Sequence, residues 1–325
     1  MKIGVIGGGV WGSALTKLLS DNKVILCARD EKTVKSINDH RFNPKLKYGV
    51  FNDNVTATND ISILNDSDYL FIALPSQIIR DVLSKFKPSN SNLEIIIASK
   101  GIEISTLDML SEVVANETKC KNISVLSGPC FSDEVSQNLP TAVTFASKNR
   151  KSFDKVSALI NKKNFRIYYS NDVIGCQIGG ALKNIYAIGA GITLGLNLGE
   201  NAKSAFISRS FVEIIRFGKA LGANEKTVFG LSGLGDLILT CGSMKSRNTK
   251  FGHLISTISL PRIEDVLRSQ EITEGYFTVN AVKKIADQKK IDMPIATSIY
   301  NILYNKYSIK DEINNLLERP TSDEF

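Results

Sequence analysis

Histidine is almost absent: there are two in 325 residues, His40 and His253, and neither sits in a recognisable catalytic pattern. Both read as surface or core residues, so an imidazole acid has little to draw on. Cysteine is sparse as well. Cys27, Cys120, Cys130, Cys176 and Cys241 make an odd count without a Cys-x-x-Cys pair. That argues against a disulfide framework and a thiolate zinc site, and fits a reducing cytoplasm. No tyrosine is followed by lysine at the Tyr-x-x-x-Lys spacing, which removes a paired phenol and amine. The N-terminus carries only Lys2 as a positive charge and lacks a small-residue cleavage site, unlike a secretory leader. The longest apolar stretch, 185–196, is too short and glycine-rich to insert into a membrane. No internal repeat or low-complexity tract occurs. The basic excess, a formal +7, is scattered rather than gathered in an arm. Scattered charge disfavours nucleic acid and leaves room for a local pocket that takes small anions.

What is present is an ordinary globular composition, 43% hydrophobic and 22% charged, long enough for two domains. Short apolar runs at 2–6, 24–28, 69–74 and 94–98 read as strands, with weaker candidates at 124–126 and 142–145. Helical spacing falls between them, at 11–20, 77–86 and 106–115. Strands alternating with helices predict a parallel sheet covered on both faces. Beyond about residue 171 strand-like runs almost vanish. Asn171 and Asp172 can cap a long helix through 190, and helical runs recur at 204–221, 263–267, 279–287 and 298–304. The expected fold class is therefore α/β: a doubly wound, Rossmann-type sheet over 1–171, followed by an all-helical domain over 172–325. The polar tail 318–325 is expected to fray.

The first strand runs into Gly7-Gly8-Gly9-Val10-Trp11-Gly12, a GxGxxG pattern that closes a strand and opens a helix. In this context Gly7 permits the tight turn, Gly9 lets the backbone approach a pyrophosphate, and Gly12 lets helix and strand pack closely. The helix N-terminus then offers N–H groups to the anion. Arg29, after the second strand, favours the 2′-phosphate of NADPH, whereas Asp30 leaves NADH open.

Lysine is the leading acid for a carbonyl reduction. Lys183 lies in Gly179-Gly180-Ala181-Leu182-Lys183-Asn184, inside the long helix, with small neighbours one turn away. Two readings stand for those glycines: close helix packing, or clearance for a ligand over the amine. Lys100 follows the fourth strand, at the edge where ligands bind in such sheets, and could equally be an ordinary loop lysine. Gly128 can expose backbone N–H groups, and Cys130, without an evident histidine partner, reads as a small buried thiol. Asp236 ends a glycine-rich loop, either capping a helix or orienting a lysine. Ser246, Arg247 and Asn248 offer a hydroxyl, a guanidinium fork and an amide to a phosphate, or form a basic solvated loop. Glu274 is a further loop candidate.

These motifs occur in one order: GGGVWGSAL, ALPSQ, SKGIE, SGPCF, GGALKN, GLGD, SRN and TEG. In that order they resemble the NAD(P)-dependent glycerol-3-phosphate dehydrogenases of bacteria. The resemblance implies reversible hydride transfer from NADPH, preferred over NADH, to dihydroxyacetone phosphate, giving sn-glycerol 3-phosphate for glycerophospholipid synthesis. It implies Lys183 as proton donor and acceptor and Lys100 in contact with substrate and nicotinamide. Gly128, Cys130, Asp236, Ser246, Arg247 and Asn248 would hold the substrate. Gly7, Gly9, Val10, Trp11, Gly12, Arg29, Ser132, Arg247, Ile272 and Glu274 would contact the cofactor. A cytoplasmic homodimer is implied too. The chain departs from the family's usual Ser at Cys130, Ala at Ser132 and Ser at Val10. Runner-up enzymes with a similar architecture act on 6-phosphogluconate, 3-hydroxyisobutyrate or ketopantoate. A non-catalytic NADP-binding sensor is the alternative from another class.

Overall fold

Eight short strands hydrogen-bond into one sheet in the computed structural model, which describes residues 1–160, 162–257, 263–269 and 273–320. They are β1 (Ile3–Ile6), β2 (Val24–Cys27), β3 (Val55–Thr58), β4 (Tyr69–Ile72), β5 (Glu94–Ile97), β6 (Ile123–Ser127), β7 (Thr141–Ser147) and β8 (Phe165–Ser170). Their order is β3-β2-β1-β4-β5-β6-β7-β8. Every neighbouring pair is parallel except β6 with β7. Strand β1 pairs on one side with β2 (Ile3 opposite Val24) and on the other with β4 (Ile3 opposite Tyr69). The chain thus grows outward to β3, then restarts on the far side of β1. That reversal is the switch point at which ligands bind beside the carboxyl ends of the strands. β1 and β5 are buried along their whole length, as expected where helices cover both faces.

The helices of this part are α1 (Val10–Leu18), α2 (Glu31–His40), α3 (Ile79–Leu83), α4 (Leu110–Thr118), α5 (Ser132–Ser136) and α6 (Arg150–Leu159). Several boundaries differ from the sequence expectation. The strand foreseen over 69–74 stops at Ile72, because the Leu74 N–H turns to the Ser99 hydroxyl at 2.9 Å. The helix foreseen over 77–86 is a 3-10 turn followed by the short α3. The one foreseen over 106–115 starts only at Leu110, since Leu107 sits at φ 66 and breaks the run. β3 and β8 were not anticipated. β3 reads Val-Thr-Ala-Thr, and β8 carries Arg166 with exposed Tyr168, so neither has a dense apolar signal.

Residues Met1–Lys100 and Asp108–Val173 form one compact unit, and Gly101–Leu107 with Ile174–Phe325 cluster as the other. In the second unit every regular element among the described residues is helical. These are α7 (Val173–Gly195), α8 (Gly199–Ala220), α9 (Glu225–Val228), α10 (Asp236–Cys241), α11 (Arg247–Ile255), α12 (Ile263–Ser269), α13 (Glu274–Lys289), α14 (Pro294–Tyr300) and α15 (Ile309–Leu317). Single π turns precede α10 (Leu231–Gly235) and follow α14 (Asn301–Asn305). α7 is buried on every face over 175–192, the mark of a helix enclosed by others.

Its glycines explain how. A Cβ on Gly179 would sit 2.4 Å from the Ser232 carbonyl oxygen, and one on Gly191 would sit 2.1 Å from that of Thr249. At Gly179 the reading as clearance for a ligand therefore yields to close packing of backbone on backbone. Gly179→Ala sets two effects against each other. Helix propensity favours alanine by about 1 kcal/mol, whereas overpacking costs about 1–3 kcal/mol. With backbone atoms so close, packing wins. The variant is expected to lower the thermal midpoint, and a raised midpoint would remove the packing account.

Candidate active site

In the first unit the glycine turn is built by contact. Gly7 adopts φ +123, and a Cβ there would lie 2.3 Å from the Ala73 carbonyl oxygen; one on Gly12 would lie 1.9 Å from that of Gly7. Gly9 is different. It is the exposed N-cap of α1, and a Cβ on it meets no protein atom within 4 Å. The first-turn N–H groups have no partners within their own helix. An open backbone at a helix start, with no side chain intruding, fits a pyrophosphate. Val10 adds no hydroxyl to that turn. The Trp11 indole N–H is committed to the Ala98 carbonyl at 3.0 Å, which anchors α1 on the end of β5.

Beyond β2, Arg29 is exposed and Asp30 caps α2. The Asp30 carboxylate accepts from the Lys32 backbone N–H at 3.3 Å, the Thr33 hydroxyl at 2.5 Å and the Lys45 ammonium at 3.3 Å. The Thr33 hydroxyl first, then Lys45, hold this carboxyl below the usual carboxylate range.

Past β5, the Ser99 hydroxyl donates to the Leu74 carbonyl at 2.6 Å and stitches the ends of β4 and β5 together. Next to it, the Lys100 ammonium donates to the Gly128 carbonyl at 3.1 Å. The Cys130 thiol, half-buried rather than buried as its size suggested, donates to the same oxygen at 3.2 Å. Gly128 holds φ +157 against Val143, where a Cβ would come within 2.9 Å of the Val143 Cα. The structure thus joins Lys100, Gly128 and Cys130 through one carbonyl, where the sequence reading had looked to the Gly128 N–H. Ser132 opens α5, half-buried.

In the second unit, Lys183 is 9% exposed and Asp236 fully buried. The Lys183 ammonium donates to Asp236 Oδ1 at 2.6 Å and to the Thr240 hydroxyl at 2.8 Å. Thr240 in turn donates to the Asp236 backbone carbonyl at 2.6 Å. Asp236 is not on a loop. It is the first residue of α10 and follows the π turn directly. Burial pushes the neighbouring Cys241 thiol up to about 12, so it stays neutral beside the ion pair. Thr240 escaped the sequence reading. Its one signal is its place four residues past Asp236, on the same helix face.

The next residue of α7 anchors a second cluster. Asn184 Oδ1 accepts from Asn248 Nδ2 at 3.0 Å, and Asn248 Oδ1 accepts from the Gly275 N–H at 2.9 Å. Gly275 must be glycine here, for its Cβ would lie 2.3 Å from the Asn184 carbonyl oxygen. Ser246 caps α11, accepting from the Thr249 N–H at 3.2 Å, with Arg247 exposed on the first turn. Glu274 is the first residue of α13, where a loop was expected. The starts of α11 and α13 thus meet at Asn184, a residue the sequence reading did not single out. Ile272 lies outside the described residues.

A buried, oriented ammonium can deliver a proton to an oxyanion and take it back. A helix start carrying a guanidinium suits a phosphate. The ion pair also has a structural consequence. Asp236→Ala would leave Lys183 buried without its carboxylate, at a cost of about 3–5 kcal/mol. The double variant Lys183→Met/Asp236→Ala is expected to recover part of that loss in chemical denaturation. A double variant no more stable than Asp236→Ala would contradict this account.

Known proteins similar to this chain match both of its parts. A family model described as the N-terminus of NAD-dependent glycerol-3-phosphate dehydrogenase matches residues 2–153, and one described as its C-terminus matches 172–314. The chain is 41% identical to a glycerol-3-phosphate dehydrogenase [NAD(P)+] of Thermotoga sp. (strain RQ2), over 100% of this chain and 99% of that relative. It is 39% identical to one of Syntrophomonas wolfei, covering 100% and 96%. Among solved structures, the glycerol-3-phosphate dehydrogenase of Coxiella burnetii superposes with a TM-score of 0.91 at 32% identity, over 98% of this chain and 99% of that one. A ketopantoate reductase from Ralstonia eutropha shares the fold, with a TM-score of 0.59 at 13% identity over 97% and 100%. Through both its sheet-bearing and its helical part, the chain belongs to the NAD-dependent glycerol-3-phosphate dehydrogenase family.

Proposed function

We propose that this chain interconverts dihydroxyacetone phosphate and sn-glycerol 3-phosphate, with Lys183 moving the proton at the C2 oxygen. The observation that carries this reading is the buried Lys183 ammonium, held by Asp236 and Thr240. When bound, the nicotinamide supplies or takes up the hydride. Lys183 Nζ gives a proton to the developing C2 alkoxide in reduction and recovers it in oxidation. Asp236 and Thr240 fix the amine's direction and keep its charge tolerable in a buried setting. Ser246, Arg247 and the first turn of α11 take the phosphate. Asn248 steadies that turn through Asn184 and Gly275. Lys100, with Gly128 and Cys130, adds positive charge and polar contacts for the substrate. A phosphate cluster of this kind favours a phosphorylated substrate over ketopantoate or a sensor's cofactor alone.

Gly7, Gly9, Val10, Trp11 and Gly12 form the cofactor turn, with Ser132, Ile272 and Glu274 as further contacts. Asp30 is committed as the cap of α2, which supports Arg29 as the partner of a 2′-phosphate and hence NADPH over NADH. The enzyme is read as a cytoplasmic homodimer supplying glycerophospholipid synthesis.

Three variants test this. Lys183→Ala should abolish NADPH oxidation while NADPH still binds; near-normal turnover sinks the assignment. Arg247→Ala should raise KM for dihydroxyacetone phosphate at least about tenfold. The wild type should hardly use unphosphorylated dihydroxyacetone, and equal rates on both ketones would count against the phosphate cluster. Arg29→Ala should raise KM for NADPH while leaving that for NADH within about twofold. An unchanged NADPH KM would return the preference to Asp30.

A further inference from the structure

Glu213 is a carboxylate that the proposed chemistry leaves unused. It lies on α8, 2% exposed. Three donors converge on it. The Ile295 N–H reaches Oε1 at 2.6 Å. The Ala296 N–H and the Tyr186 hydroxyl both reach Oε2, at 3.0 Å each. α14 opens with Pro294, which has no N–H, and the Thr297 N–H already bonds the Met293 carbonyl at 2.8 Å. Glu213 therefore serves the remaining donors of that helix start. Tyr186 is fully buried and lies three residues past Lys183, one turn along α7.

We infer that Glu213 is a positioning residue for Lys183: ionised, it pins α7 through the Tyr186 hydroxyl to the start of α14, and protonation releases that pin. The inference rests on Lys183 being the proton donor. A carboxylate only accepts, and every donor around Glu213 needs an acceptor. A carboxylic acid must carry its proton on one oxygen, and both oxygens already face donors. With Oε2 protonated, the Tyr186 hydroxyl can no longer donate there; it can at most accept, and its own hydrogen loses that acceptor in a fully buried place.

Two titratable or charged side chains act on Glu213 itself, Tyr186 and Arg216, and a third, Cys241, acts on Tyr186. Tyr186 faces it from α7. Arg216 lies on its own helix and bonds the carbonyl and carboxylate of Asp292, ahead of α14. Cys241 of α10 acts on Tyr186 and stays neutral. Burial pushes the Glu213 carboxyl up to about 7, against the pull of the Ile295 and Ala296 N–H groups, Tyr186 and Arg216. Burial, then Glu213, pushes the Tyr186 hydroxyl well above its ordinary value, so it remains a donor. The folded chain holds the Glu213 proton more tightly than the unfolded chain. The stability from this group is complete below pH 4.5 and is lost as the pH rises through about 7. The pin runs the other way and is complete only above that range.

The test follows kcat and both KM values against pH for the wild type, Tyr186→Phe and Glu213→Gln, with thermal midpoints alongside. Wild-type kcat should climb through a break near 7. Tyr186→Phe, which deletes only a hydroxyl, should cut kcat at high pH about tenfold and keep KM for NADPH within about twofold. It should also lose the break. Glu213→Gln should lose the break and the fall in midpoint between pH 4.5 and 7. Tyr186→Phe with wild-type kcat and an intact break, assayed well below its midpoint, overturns the inference. A wild type without turnover, or an active Lys183→Ala, overturns the proton-donor reading and this inference with it. An active wild type, a dead Lys183→Ala and an unaltered Tyr186→Phe overturn the inference alone.

Discussion

A lysine ammonium taken out of water beside a buried carboxylate is the constraint around which the helical unit is organised. Desolvating two charges is expensive and is offset only when the geometry is tight and further hydrogen bonds complete it. Lys183 and Asp236 meet that condition at 2.6 Å, with Thr240 accepting from the amine and donating back to the Asp236 carbonyl. The π turn at Leu231–Gly235 delivers Asp236 as the first residue of a helix rather than as a loop tip. A carboxylate on a loose loop would not hold one rotamer against a buried amine.

The same need for rigidity accounts for how the other helices approach α7. Its glycines let neighbouring backbones come to contact distance, so the helix cannot slide or rotate without collision. Asn184 then gathers the starts of α11 and α13 through Asn248 and Gly275. Tyr186 ties the same turn to Glu213 and α14. A single turn of one buried helix, from Lys183 to Tyr186, thus carries the amine and two anchors.

In the sheet-bearing unit the governing device is backbone economy. Gly7 and Gly12 touch other backbone so closely that no side chain fits, while Gly9 stays open at the helix start. At the end of β2 the Asp30 carboxylate gathers Lys32, Thr33 and Lys45 and caps α2. Lys100 and Cys130 likewise converge on one carbonyl, a meeting point invisible in a list of side chains.

Features encoded within a few residues were legible from the chain itself. Short apolar runs marked the central strands, the change of pattern near residue 171 marked the helical part, and the GxGxxG sequence marked the tight turn from β1 into α1. Strands with a diluted apolar signal, such as β3 and β8, were lost, and α13 was foreseen late because its first turn looks like a loop. Partnerships across long separations belong to the tertiary structure alone. Lys183 and Asp236 are 53 residues apart, Asn184 and Asn248 are 64, and Glu213 and Ile295 are 82. Local propensity contains no record of which distant donor meets which acceptor. That pairing is decided when the helices pack and each buried polar group must find its partner.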